Sequence, residues 1–239
     1  MATRQLRNLV TMALVTCALG FAGEKAAVDL SPLDAWKPEK NGWSTVGSVK
    51  INPENAKRLS AEPGDGLFYN GPNGRAINLL SKQAFGDVSL HLEFLIPKGS
   101  NSGVKLIGQY EIQIADSFEK TKVTGSDCGG IYPRAELGPK YHHIDDGIAP
   151  TTNACAAPGT WQTLDIVFHA PRFDSDGKKT ENAKFVSVKL NDVLVQDNID
   201  LPYPTGHAWH NKEMPRGPIL LQADHGPVAF RAIRVTEMD

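Results

Sequence analysis

Phe185-Val186-Ser187-Val188-Lys189-Leu190-Asn191-Asp192-Val193-Leu194-Val195-Gln196 is the stretch that decides the fold. Two short apolar runs flank Asn191-Asp192, a pair whose residue types tolerate the left-handed backbone of a two-residue hairpin turn. The stretch therefore reads as an antiparallel β-hairpin. From Trp43 onward the same grammar repeats: apolar residues recur mostly at every second position, in short runs separated by Gly, Pro, Asn and Asp. Ala76 to Leu80, Ser89 to Ile96, Thr163 to His169, Ile219 to Ala223 and Val228 to Val235 are such runs. Gly103 to Ile107 and Gln109 to Asp116 read as two strands joined by a tight turn at Gly108. Helical periodicity is nearly absent. Many short strands in a chain too long for an immunoglobulin-type domain predict an all-β fold, a large antiparallel β-sandwich or jelly roll.

No repeat, linker or composition shift divides residues 29–239, so one domain is expected there. Its length supplies ample core. Ser117 to Pro158 is a long irregular region, and loops of that length in a compact domain usually serve a site or wander as disorder. The formal net charge of -2 and the lack of an extended basic block argue against nucleic acid as a partner. Arg4 and Arg7 precede an apolar run from Leu9 to Gly20, and the small residues Gly20 and Ala22 follow the spacing of a signal-peptidase site. Residues 1–22 are thus expected to be an export signal, giving a periplasmic or secreted protein with no membrane span in the mature chain. Cys17 offers the alternative of a lipid anchor, although Thr16 matches that cleavage pattern poorly. Beyond the signal only Cys128 and Cys155 remain, both in Gly/Pro/Asn-rich sequence, and a disulfide between them is expected.

Within Gln109 to Asp116, a strand sends Gln109, Glu111 and Gln113 to one side and Tyr110, Ile112 and Ile114 to the other. The apolar side is core. The other carries one carboxylate and two carboxamides, donors and acceptors suited to a hydroxyl-rich ligand.

The ordered motifs Asn101-Ser102-Gly103, Tyr110 to Asp116, Cys128-Gly129-Gly130-Ile131-Tyr132, Pro158-Gly159-Thr160-Trp161-Gln162, Leu190-Asn191-Asp192-Val193 and Leu221 to Arg231 carry a family likeness. Together they resemble the domain-of-unknown-function 1080 family, now called the 3-keto-disaccharide hydrolase family, from about Leu33 to the end of the chain. Two departures stand out: Ala232 occupies the position of an Asn in the family's Phe-Arg-Asn-Ile motif, and the loop His142-His143-Ile144-Asp145-Asp146 is longer than the family norm. The resemblance implies a concanavalin-like β-sandwich of an exported bacterial protein. It also implies a carbohydrate substrate, a 3-keto-glycoside made by a partner glycoside 3-oxidoreductase.

Such a substrate has a ketone at C3 that acidifies the C2 proton, so a positioned base can start an elimination that expels the C1 substituent, with water adding afterwards. That route needs a base, a group to hold an enolate and partners for hydroxyls. His225, in the turn before the last strand, is the preferred base, and Glu111 is the other candidate. Gln113, Gln222 and Arg231 are candidates for holding the sugar or its enolate, Asn101 for a turn or a hydroxyl contact, and Tyr132 and Trp161 for stacking on a ring. A divalent metal ion is a possible cofactor, with His142, His143, Asp145 and Asp146 as weak candidate ligands. Two other functions compete. Glu111 and Asp116 on one strand resemble the outer carboxylates of laminarinase-like retaining glycosidases, although alternation sets them on opposite faces. A noncatalytic lectin-like module would use the same polar face.

Overall fold

A computed structural model describes residues 26–39 and 42–238. The expected export signal and Cys17 lie outside the described residues. In chain order the strands are β1 (Val28–Asp29), β2 (Trp36–Lys37), β3 (Ser44–Asn52), β4 (Asn55–Tyr69), β5 (Leu79–Phe85), β6 (Val88–Leu95), β7 (Asn101–Leu106) and β8 (Tyr110–Ala115). They continue as β9 (Ala135–Glu136), β10 (His142–His143), β11 (Gln162–His169), β12 (Arg172–Phe173), β13 (Lys179–Glu181), β14 (Ala183–Leu190), β15 (Val193–Leu201), β16 (Gly217–Leu221) and β17 (Ala229–Glu237). The helices described are two short 3-10 turns, η1 (Leu33–Ala35) and η2 (His207–His210). None is long and apolar enough to cross a membrane.

Two antiparallel sheets face each other. The larger has the order β15-β14-β11-β6-β17-β4-β3, with β1 on β17; the smaller has the order β2-β5-β16-β7-β8. Alternation along β6 sends Val88, Leu90, Leu92 and Phe94 inward and leaves Ser89, His91 and Glu93 outside. Ile166 and Phe168 of β11, Phe185 of β14 and Phe230 of β17 join them, and all are 0% exposed. From the smaller sheet Val104, Tyr110, Ile112, Ile114, Ile219 and Leu221 complete the same core. This is the concanavalin-like β-sandwich.

The predicted hairpin is present, with Asn191 and Asp192 at φ 51° and 65°, the two positive values that a tight turn matched to strand twist requires. The β7–β8 turn repeats the device with Ile107 at 47° and Gly108 at 71°. In β17 the register shifts between Arg231 and Arg234, and Ala232 sits at φ 52° in that bulge. Asn occupies this left-handed region more readily than Ala, so the family's Asn at that position has a backbone reason.

The region from Ser117 to Pro158 is ordered by polar contacts rather than by a disulfide. Cys128 and Cys155 are free buried thiols lying against each other, which corrects the expected bridge. The stiffening comes from elsewhere. Asp127 takes Lys120 Nζ at 2.6 Å and the Thr124 backbone N–H at 2.8 Å, and Asn153 Nδ2 donates to Ser117 O at 2.7 Å. Buried Gln196 donates to Gly129 O at 3.0 Å.

Candidate active site

The β7–β8 register pairs Lys105 with Glu111, Gly103 with Gln113 and Asn101 with Ala115. Residues opposite each other share a face, so the polar side of β8 continues onto β7. Gln222, just past β16, donates its backbone N–H to Gly103 O at 2.9 Å and extends that face. On the far side of β8, the segment 129–132 acts as a further strand, with the Tyr132 N–H donating to Glu111 O at 3.2 Å. These elements floor a cavity of about 390 Å³ with Asn101, Lys105, Glu111, Tyr132 and Gln222. Tyr141, Gly206, His207 and His225 complete its wall.

Glu111 is buried at the centre, with a side chain 2% exposed, and Lys105 Nζ lies 2.9 Å from its Oε2. The room for that carboxylate comes from Gly103. A Cβ added there would sit 2.2 Å from Glu111 Oε1 and 3.0 Å from its carboxyl carbon. Gly103→Ala is therefore expected to overpack the floor and destabilise the fold by about 1–3 kcal/mol, measured by urea denaturation. An unchanged midpoint would mean that the carboxylate moves aside without cost.

His225 stands at the rim, 56% exposed, with Nδ1 2.6 Å from Asp224 Oδ1. A carboxylate at Nδ1 favours the tautomer that keeps its proton there, leaving the Nε2 lone pair free to accept one. The turn that carries this pair is buckled by buried Asn70. Its Nδ2 donates to Ala223 O and Gly226 O, both at 2.8 Å, and its Oδ1 accepts the Val228 N–H at 2.7 Å. Gly74, at φ 59°, lets the neighbouring loop press onto the turn, since a Cβ there would lie 1.8 Å from Gly226 C.

Tyr132 OH lies 2.9 Å from Tyr141 OH and 3.0 Å from His143 Nε2. Burial first, then the Tyr141 contacts and the Glu111 charge, push the Tyr132 phenol well above its ordinary range, so it stays protonated as a donor. Gln222 Oε1 has no protein partner, and neither amide atom of Gln113 has one. That is spare hydrogen-bonding capacity on the floor face. Only Gln222 of the two lines the cavity; Gln113 lies one pair further along β8.

The structure brings His225, Glu111, Gln222, Asn101 and Tyr132 together and sends other candidates elsewhere. Arg231 follows inward-facing Phe230 on β17 and so points out of the larger sheet. Its Nε is 2.7 Å from Glu93 Oε2 and its guanidinium carbon 4.0 Å from the centre of the Trp161 ring. Trp161 packs against a second, smaller core formed by Val46, Leu59, Leu67 and Leu95. Neither residue reaches the cavity.

The weak metal candidates are also dispersed. Asp145 pairs with Arg134 at 2.7 Å and accepts the backbone N–H of Gly147, His142 Nδ1 contacts Lys140 O at 2.9 Å, and His143 meets Tyr132. They form no converging ligand set with Asp146 among the described residues. Asp116 turns away from Glu111 and accepts the Gly99 N–H at 2.8 Å. Lys105, Tyr141 and His207 are site residues that motif reading did not single out. Lys105 was not countable from the turn pair alone, because a two-residue turn at Ile107-Gly108 would set it opposite Tyr110, and the third connecting residue, Gln109, is what pairs it with Glu111.

A family model described as the 3-keto-alpha-glucoside-1,2-lyase-like domain matches residues 25–236. Among solved structures, the chain is similar to a Parabacteroides distasonis ATCC 8503 protein with a provisional glycosyl hydrolase designation. The likeness has 25% identity and a TM-score of 0.59, covering 82% of this chain and 79% of the other. A second protein of that organism with the same designation matches at 12% identity and a TM-score of 0.51, over 83% of this chain and 89% of its own, a likeness of fold. No curated protein sequence matches.

Proposed function

The chain belongs to the 3-keto-alpha-glucoside-1,2-lyase-like domain family, a carbohydrate-acting group, and on that premise we propose that it is an exported enzyme that cleaves 3-keto-glycosides by elimination and hydration. One observation carries this reading: a single cavity opposes a carboxylate-held imidazole, His225, to an ammonium and a phenol donor, Lys105 and Tyr132. That is the division of labour a C2 proton abstraction needs.

In this reading His225 Nε2 takes the C2 proton, and the electron pair moves onto the C3 oxygen as an enolate. Lys105 and Tyr132 donate to that oxygen, and Glu111 holds Lys105 in position. Collapse of the enolate forms the C1–C2 double bond and breaks the C1–O bond, and the departing oxygen takes the proton from the His225 imidazolium. Water then adds its oxygen to C1 and a proton to C2. Gln222 and Asn101 hold the sugar hydroxyls. A partner oxidoreductase of glycosides would supply the ketone.

The paired-carboxylate reading has less support. Glu111 is the sole acid among the described residues lining the cavity, and it is already paired with Lys105. A retaining glycosidase needs two carboxyl groups about 5–5.5 Å apart on either side of the bond.

The test is aglycone release from a glucoside and from its 3-keto derivative in deuterated water. Turnover of the ketone alone is expected, with solvent deuterium at C2 of the released sugar beyond an enzyme-free control. Turnover without deuterium at C2 rules out the elimination. Turnover of the unoxidised glucoside restores the glycosidase reading, and binding without turnover of either leaves a lectin-like module.

A further inference from the structure

Beside the cavity, two segments run together. The Gly206 N–H donates to Pro133 O at 2.9 Å, the Ala135 N–H to Gly206 O at 3.1 Å, and Trp209 Nε1 to Ala135 O at 3.0 Å. These bonds seat the short helix η2 on β9. A 3-10 helix has three residues per turn, so side chains at i and i+3 eclipse and project from one side. His207 and His210 have that spacing in His-Ala-Trp-His, and their ring centres lie 5.0 Å apart. Glu136 of β9 meets them, with Oε2 2.9 Å from His210 Nε2. One ligand atom from each of the three lies within 4.8 Å of the other two. The elimination chemistry uses none of them.

We propose that Glu136, His207 and His210 form a binding site for one divalent transition-metal ion of the zinc class, open on the side of the cavity that His207 lines. Two imidazoles and a carboxylate suit zinc better than magnesium or calcium, which favour all-oxygen shells. Zinc bonds of about 2.0–2.2 Å set tetrahedral donor pairs about 3.4 Å apart, longer than the 2.9 Å between His210 and Glu136 and inside the 4.8 Å that encloses all three ligand atoms. Torsions of the exposed histidines supply the adjustment. The site is braced on its outer side, where the Trp209 and His210 rings are 3.9 Å apart at 32°. Arg134, 5.6 Å from the Trp209 ring centre, is neutralised by Asp145 and adds no uncompensated positive charge. Three protein ligands leave a coordination position for water or a sugar oxygen.

The test uses the untagged protein after chelator treatment, titrated calorimetrically with zinc chloride in the absence of any sugar, so its outcome is independent of the elimination chemistry. One equivalent is expected to bind, and cobalt in its place is expected to give a visible absorption band. His210→Ala and Glu136→Gln are each expected to weaken zinc binding at least about tenfold and to abolish the cobalt band. His142→Ala, on the strand beside Glu136 but bonded to Lys140 O, is expected to bind as wild type. Absence of stoichiometric binding by the wild type, or equal affinity in the His210 and Glu136 variants, overturns the proposal.

Discussion

Replacing His225 by alanine is expected to lower kcat on a 3-keto-glycoside by about 10²–10⁴-fold, the usual worth of a positioned general base. The melting temperature is expected to hold, because the side chain is 56% exposed and its one polar partner is the half-exposed Asp224. Asp224→Asn tests the second half of the argument. Removing the charge at Nδ1 leaves the imidazole in place but weakens its tautomeric preference, so a smaller loss of kcat with little change in KM is expected. The measurements are steady-state kinetics and thermal unfolding of the two variants. A His225→Ala enzyme within about threefold of wild type would move the base to Glu111, since loss of a working base costs far more.

The second large effect concerns stability. Lys105→Met leaves the Glu111 carboxylate, 2% exposed, without its counter-ion on the cavity floor. Removing one partner of a buried ion pair costs about 3–5 kcal/mol. That approaches the whole stability of a marginal domain. The double variant Lys105→Met with Glu111→Gln removes both charges together and is expected to recover most of the loss, measured by chemical denaturation as a double-mutant cycle. In the proposed elimination it is also expected to be inactive, because the enolate oxygen would lose its ammonium. A double variant as unstable as the single one would show that the pair does not set the cost.

The fold was legible because its hairpins announce themselves. Asn191-Asp192 is a turn of two left-handed residues between alternating runs, and such a turn admits one strand pairing, whereas at Ile107-Gly108 a third connecting residue, Gln109, moves the register by one. The β3–β4 ribbon is harder to read. Much of Ser44 to Tyr69 is polar and exposed on both faces, so alternation carries little information there. In the site, Glu111 and Gln222 were legible from their strand faces. The assignments of Arg231 and Trp161 failed for one reason: period-two alternation says that Arg231 opposes Phe230, but not which outer surface that direction meets. Glu136 and His210 approach through loops whose course no local pattern encodes. Cys128 and Cys155 were expected to bond because the Asn153 and Gln196 contacts that help order their loop join residues far apart in sequence.

Connecting turns are where chains ordinarily tolerate insertions. The turn at Ile107 and Gly108 is an exception, because side chains of β8 alternate between the polar floor face and the core. Adding or deleting one residue there would change the parity of every position after it, handing Tyr110 and Ile112 to the cavity and burying Glu111 and Gln113 among apolar side chains. The turn lies outside the cavity lining, yet its length, even more than its composition, decides that the protein has a polar site at all.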